Sequence, residues 1–234
     1  MAGLCYCRSG KEFLACCGDP GPNRKPPVGL HIYNGLFSKT DCKKLVRLAN
    51  AQSGEWLTLQ DEQRSRELGE VVQKRDPNRV AQAVEMQQHA QKLISWVNQA
   101  VVQCVEPAVG TRVEFFEVPQ LLRYGRGGLY KSHADAENFN ADTGRWERCF
   151  DRDVSLLVYL NDKYKGGGLH FGSLNYTYQP RAGDVVFFPS GHRYVHESQP
   201  ITSGVKYALV SWMAVEGSER VGVPDTIRIP PQRG

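Results

Sequence analysis

His133 and Asp135 stand two residues apart at the end of LLRYGRGGLYKSHAD, residues 121–135, a stretch that reads as a β-strand. Strand side chains repeat every two residues, so an imidazole and a carboxylate at this spacing share one face. Those two groups and one further histidine make a 2-His-1-carboxylate facial triad, which holds Fe(II) on one side and leaves coordination positions open. An isolated H-x-D is a weak motif that fits surface polarity or a turn equally well. Downstream, PSGHRYVHES offers His192 and His196, four residues apart and on the same side if the segment is a strand. Their own spacing does not choose between them.

A metal site of this kind needs a scaffold. After Pro107 the chain reads as short strands separated by turn residues. The candidates are 112–118, 120–124, 129–135, 154–160, 169–171, 176–179, 184–188, 194–197 and 205–214. Before them, Ser38 to Asp41 forms an N-cap for a helix with apolar positions Cys42, Leu45, Val46, Leu48 and Ala49. Residues 55–60 fit a strand, and 64–76 are polar and charged. Pro77 opens a longer helical pattern through Val80, Val84, Leu93, Ile94, Val97, Val101 and Cys104, ending before Pro107. His89 lies on its polar side and reads as solvated. Helices followed by many short strands predict an α+β fold, a sandwich or jelly roll buttressed by N-terminal helices. The long polar segment 136–153 is placed to form a lid.

Composition narrows the class. Apolar residues make up 41% and charged residues 23%, as in an ordinary soluble protein. The formal charge of +4 is too mild to argue for nucleic acid. No apolar run is long enough to span a bilayer, so no membrane association is expected, and the N-terminus does not read as a secretion signal. Four of seven cysteines crowd the first twenty residues, a pattern of bound or free thiols in a reducing compartment. The cytoplasm is the expected location.

Those four, Cys5, Cys7, Cys16 and Cys17, supply enough thiolates for a tetrahedral Zn²⁺ site, which can fold a segment with almost no core. With Ser9-Gly10-Lys11, Phe13 and Gly18, the segment resembles the SEC-C zinc-binding motif, known mainly as a module of the translocation ATPase SecA. The resemblance implies structural zinc and a protein partner, and nothing catalytic. DPGPNRKPPV reads as a stiff linker. The expected organisation is a zinc motif at 1–19, a linker at 20–28 and one domain at 29–234, with a core at about 112–214.

From Tyr124 to Met213 the sequence resembles the prolyl 4-hydroxylase type of 2-oxoglutarate- and Fe(II)-dependent dioxygenases. The matching pieces are Tyr124-Gly125, His133-x-Asp135, Ser155 to Asn161, Tyr164-x-Gly-Gly, Pro180-x-x-Gly183-Asp184, Phe187-Phe188-Pro189, His196, Gly204-x-Lys206 and Trp212. The resemblance implies a double-stranded β-helix. In that family a basic residue ten positions after the distal histidine anchors 2-oxoglutarate. Ten beyond His196 is Lys206, whereas ten beyond His192 is the uncharged Thr202. The implied iron ligands are therefore His133, Asp135 and His196. Lys206 is implied as the cosubstrate anchor, and Tyr124 as a second contact to the same carboxylate. O₂ is the implied oxidant, with ascorbate as an accessory reductant.

The expected activity is hydroxylation of a prolyl residue in a protein or peptide, releasing succinate and CO₂. Free amino acids and lysyl residues are alternatives in the same class; alkylated nucleic acid bases rank low. Outside that class stand an inactive, zinc-organised interaction protein and a Zn²⁺ hydrolase, neither of which explains Lys206. Gly166-Gly167-Gly168 departs from the family's usual Gly-Gly-Glu. Trp212 and Tyr130 are placed to border the pocket, and Arg145, Trp146 and Arg148 to grip a peptide from the lid.

Overall fold

The computed structural model describes residues 25–222 and 227–233, so the four clustered cysteines lie outside the described residues. Two antiparallel sheets face each other. The larger, nine-stranded sheet runs His31–Tyr33, Val185–Pro189, Val154–Tyr159, Lys206–Val215, Gln120–Tyr124, Gln82–Val84 and Gly54–Trp56, with Val113–Glu117 branching from the central strand and Arg228–Ile229 paired to that branch in turn. The smaller runs Tyr176–Tyr178, Leu169–Phe171, His196–Ser198, Leu129–His133 and Arg79–Val80. This is a jelly-roll-like arrangement with helices against one face.

Strand periodicity divides the core in two. In the central strand Tyr207, Leu209 and Met213 face the helices, while Ala208, Val210 and Trp212 face the smaller sheet. Val154–Tyr159 repeats the pattern, with Leu156 and Val158 toward the helices and Tyr159 toward the interior. The helix side is closed by Lys39–Asn50, through Leu45 and Ala49, and by Ala90–Ala100, through Leu93, Trp96 and Val97. Ser38 caps the first helix, its hydroxyl accepting the Asp41 N–H at 3.0 Å. Among the described residues no helix is long and apolar enough to cross a membrane.

The second helix departs from its predicted span. It begins at Ala90, and Val80 and Val84 belong to strands Arg79–Val80 and Gln82–Val84. A spacing of four satisfies both a 3.6-residue and a two-residue period, so the valines did not distinguish the two. The helical path also continues past Pro107. It widens to π-helical geometry over Val101–Val105, and Pro107 falls in the first turn of Glu106–Val109, where a missing N–H is tolerated. The polar stretch hides a short helix, Glu62–Leu68, capped by Asp61 and ended by Gly69 in a left-handed conformation. The lid segment is a hairpin of Glu137–Asn140 with Arg145–Arg148.

Candidate active site

His133 closes strand Leu129–His133, and His196 opens strand His196–Ser198. The two strands pair antiparallel with these histidines directly opposite, which brings their rings to 4.4 Å. Asp135 lies beyond the strand's end, so a shared strand face is not what aims it. Its N–H donates to Ser190 O at 3.1 Å, and its carbonyl accepts from Arg152 at 3.0 Å. Held there, its carboxylate sits 3.4 Å from His133 Nε2 and 3.6 Å from His196 Nε2. The three ligand atoms lie within 4.8 Å of one another, and this is the one such cluster among the described residues.

The neighbouring hydrogen bonds prepare these groups as ligands. His133 Nδ1 meets Lys131 O at 2.7 Å, and His196 Nδ1 meets Tyr194 O at 3.0 Å. Carbonyl acceptors require N–H at Nδ1, which leaves each Nε2 with a free lone pair. Burial brings His196 down to about 4 against the raising effect of Asp135, so the ring is neutral at physiological pH. Burial pushes the Asp135 carboxyl up, but His196, His133 and the Ser155 hydroxyl outweigh it and hold the group below the usual carboxylate range. Ser155 Oγ donates to Asp135 Oδ2 at 2.6 Å and meets Ser190 Oγ at 2.7 Å.

The triad opens onto a pocket that is partly continuous with solvent. Its walls include Leu122, Leu157, Leu169 and Val210, together with the polar groups Lys206, Tyr124 and Tyr159. Lys206 is 2% exposed. Its ammonium donates to Gly167 O at 2.9 Å and Ser198 Oγ at 2.6 Å, and burial brings it down to about 7. Tyr124 presents its ring to that ammonium, and burial pushes its phenol up to about 12. Gly166 and Gly167 both take positive φ, and a Cβ on Gly166 would fall on the Pro200 carbonyl, so glycine is required there whatever follows.

Tyr130 stacks on His133 at 3.5 Å, and Trp212 lines the cavity with the Arg152 guanidinium 4.0 Å above its ring. His192 lies in a neighbouring turn, bonded to Glu137 at 2.5 Å, and is not among the triad. Three contributors were not singled out from sequence. Ser155 and Arg152 hold Asp135, and Tyr159 lies in the cavity wall with a buried hydroxyl that has no partner among the described residues. Ser155, Leu157 and Tyr159 alternate along one strand face, so the two-residue period was a signal for them.

Comparison with known proteins agrees with this geometry. Residues 119–214 match the 2OG-Fe(II) oxygenase superfamily. A putative prolyl 4-hydroxylase of Acanthamoeba polyphaga mimivirus is 27% identical over 219 residues, covering 86% of this chain and 79% of that protein. Prolyl 3-hydroxylase 3 of Mus musculus is 40% identical over 99 residues, 38% of this chain but only 14% of that much longer protein. The fold is shared with a Trichoplax adhaerens prolyl hydroxylase, solved with a hypoxia inducible factor peptide fragment. The TM-score is 0.57 at 19% identity, covering 82% of this chain and 88% of that one. The matched residues contain His133, Asp135 and His196, so the part of the chain over 119–214 is that of a 2OG-Fe(II) oxygenase enzyme, prolyl hydroxylase-like, with Fe(II) and 2-oxoglutarate as its implied cofactors.

Proposed function

We propose that the chain hydroxylates a prolyl residue within a protein or peptide. The observation that supports this best is the His133–Asp135–His196 cluster opening on a cavity whose wall also carries a buried ammonium. Two imidazoles and a carboxylate are the donor set of an iron facial triad. Their separations of 3.4 and 3.6 Å approach the roughly 3 Å between adjacent ligands each about 2.1 Å from an ion. His133, Asp135 and His196 would hold Fe(II). Lys206 would take the distal carboxylate of 2-oxoglutarate, with Tyr159 donating a hydroxyl that has no partner among the described residues and Tyr124 closing the same end of the cavity.

When bound, iron and cosubstrate consume O₂, yield succinate and CO₂ and place one oxygen on a substrate C–H. The chain's part is to orient these partners and to shed water through apolar walls such as Leu157 and Val210. The prolyl preference draws support from the named relatives, and lysyl residues and free amino acids are the competing substrates.

The test supplies Fe(II), 2-oxoglutarate and matched proline- or lysine-bearing peptides. Succinate release with a gain of about 16 Da on proline is expected. Oxygen on lysine or on free amino acids would redirect the substrate assignment, and no succinate under any condition would overturn the reading.

The spacing of Cys5, Cys7, Cys16 and Cys17 further supports a structural Zn²⁺ module that docks a protein partner. Metal analysis of the full chain under reducing conditions should find zinc that a variant with all four cysteines changed to serine lacks. Equal zinc in both would refute it.

A further inference from the structure

The hairpin of Glu137–Asn140 and Arg145–Arg148 leaves the chain two residues after Asp135. Its register sets Glu137 opposite Arg148 and Phe139 opposite Trp146, so these four side chains share one face. The other face is polar, and there Asn140 donates to Glu147 at 2.8 Å. The aromatic face turns toward the body of the protein. Glu137 Oε2 accepts the His192 N–H at 2.8 Å and lies 2.5 Å from His192 Nδ1, and Arg148 pairs with Asp153 at 2.9 Å. Trp146 lies nearly parallel to His192, 5.5 Å away, and meets Phe139 edge-on at 5.6 Å.

Three rings are thus held in a row by contacts that draw the hairpin inward, yet Phe139 is 55% and Trp146 39% exposed. An exposed cluster of aromatic side chains is a candidate interaction surface. Its root is stapled to the metal side of the molecule, because the Asp135 and Ala136 N–H groups both donate to Ser190 O. Phe139 is four residues beyond Asp135, which bounds their Cα separation at roughly 14 Å. A polyproline-type peptide rising about 3.1 Å per residue covers that distance in four to five residues.

We propose that Phe139, Trp146 and His192 form a platform that binds a second proline of the peptide substrate, outside the residue that is oxidised. Flat aromatic faces bind proline rings well, since the extended proline conformer is pre-formed and loses little entropy on docking. The inference rests on the prolyl-peptide reading of the active site and adds that the substrate carries at least two prolines, roughly three to five residues apart.

The test compares two peptides with the same target proline, one bearing a second proline four residues away and the other alanine there. Wild type should show a KM about tenfold lower for the two-proline peptide, with the difference in KM and not kcat. In Trp146→Ala, and independently in Phe139→Ala, the ratio of the two KM values should fall to about one. An unchanged ratio in both variants overturns the platform. Direct binding, followed by tryptophan fluorescence of the full chain, decides the matter without turnover. Tighter binding of the two-proline peptide by wild type but not by Trp146→Ala, read through the remaining tryptophans, supports it, and equal binding of both peptides by wild type refutes it. If wild type binds the two-proline peptide more tightly yet oxidises neither, the platform stands and the prolyl reading of the active site falls. Concentration-dependent self-association abolished by Trp146→Ala would assign the rings to a second copy instead.

Discussion

Lys206 and Tyr124 are direct cross-strand partners in the larger sheet, and the ammonium lies 4.9 Å from the centre of the tyrosine ring. The pairing puts a charge into the cavity wall with an aromatic face, a hydroxyl and a carbonyl as its company, and no carboxylate among its hydrogen-bond partners in the described residues. Burial therefore brings Lys206 down to about 7 from its ordinary 10.5.

A pH dependence follows from that shift. Only the protonated amine pairs with a dicarboxylate, and an anion beside it raises its proton affinity, so binding takes up a proton above pH 7. Affinity for 2-oxoglutarate should be flat below about pH 7 and then fall up to about tenfold per pH unit. The free protein should respond oppositely. A lysine depressed by folding is more protonated in the unfolded chain between 7 and 10.5, so this group's penalty is relieved as pH rises through that window. Calorimetric titration and thermal melts across the range would check both signs, and a pH-independent affinity would show that Lys206 does not meet the anion.

Lys206→Ala should weaken 2-oxoglutarate binding about 100-fold while leaving metal binding in place, the loss expected for a buried charge-assisted contact. Tyr159→Phe separates ligand binding from stability, because the hydroxyl it removes has no partner to lose among the described residues. Its melting temperature without cosubstrate should equal or exceed wild type, while the rise on adding 2-oxoglutarate shrinks. A lower melting temperature in the free protein would show that the hydroxyl is already bonded.

Ser155→Ala strips the short hydrogen bond from Asp135 Oδ2 and also breaks the contact to Ser190. Partners that orient a ligand carry a sizeable share of metal affinity, and a loss of about 10- to 100-fold for Fe(II) is expected. Competition against a chelating dye measures it, and unchanged affinity would mean that the backbone alone holds Asp135.

Arg152 forks onto Glu117 at 2.5 and 2.8 Å while donating to the Asp135 carbonyl. Arg152→Gln leaves Glu117 unpaired at a mostly buried site and should cost about 3 kcal/mol in denaturant unfolding. Metal affinity should fall in parallel, because the one triad member outside a strand loses an anchor. Stability lost with metal affinity intact would confine the arginine to a structural part.

The two histidines lie on paired strands, but spacing alone left His192 and His196 open and aimed Asp135 by a strand face it does not occupy; the choice of His196 and Lys206 rests on the family resemblance. Gln120–Tyr124 and Leu169–Phe171 fall on their expected residues, and the central strand lies within one residue of its expected bounds. The helix expected from Pro77 failed where four-residue spacings fit two periods at once. The hairpin of 137–148 was only a polar loop in the sequence, since its one apolar cross-strand pair is too little to show a pattern.

The sequence by itself determined the ligand types and their order along the chain, and its resemblance to the prolyl 4-hydroxylase type of dioxygenases implied the oxygenase chemistry, because both rest on side-chain identity and order along the chain. Tertiary structure decided how Asp135 is aimed, that His192 turns to Glu137, and that the buried Tyr159 hydroxyl has no partner among the described residues. Each of these rests on contacts between residues far apart in the chain. The Ser190 carbonyl holds an aspartate fifty-five positions earlier, and only the closed sandwich brings them together.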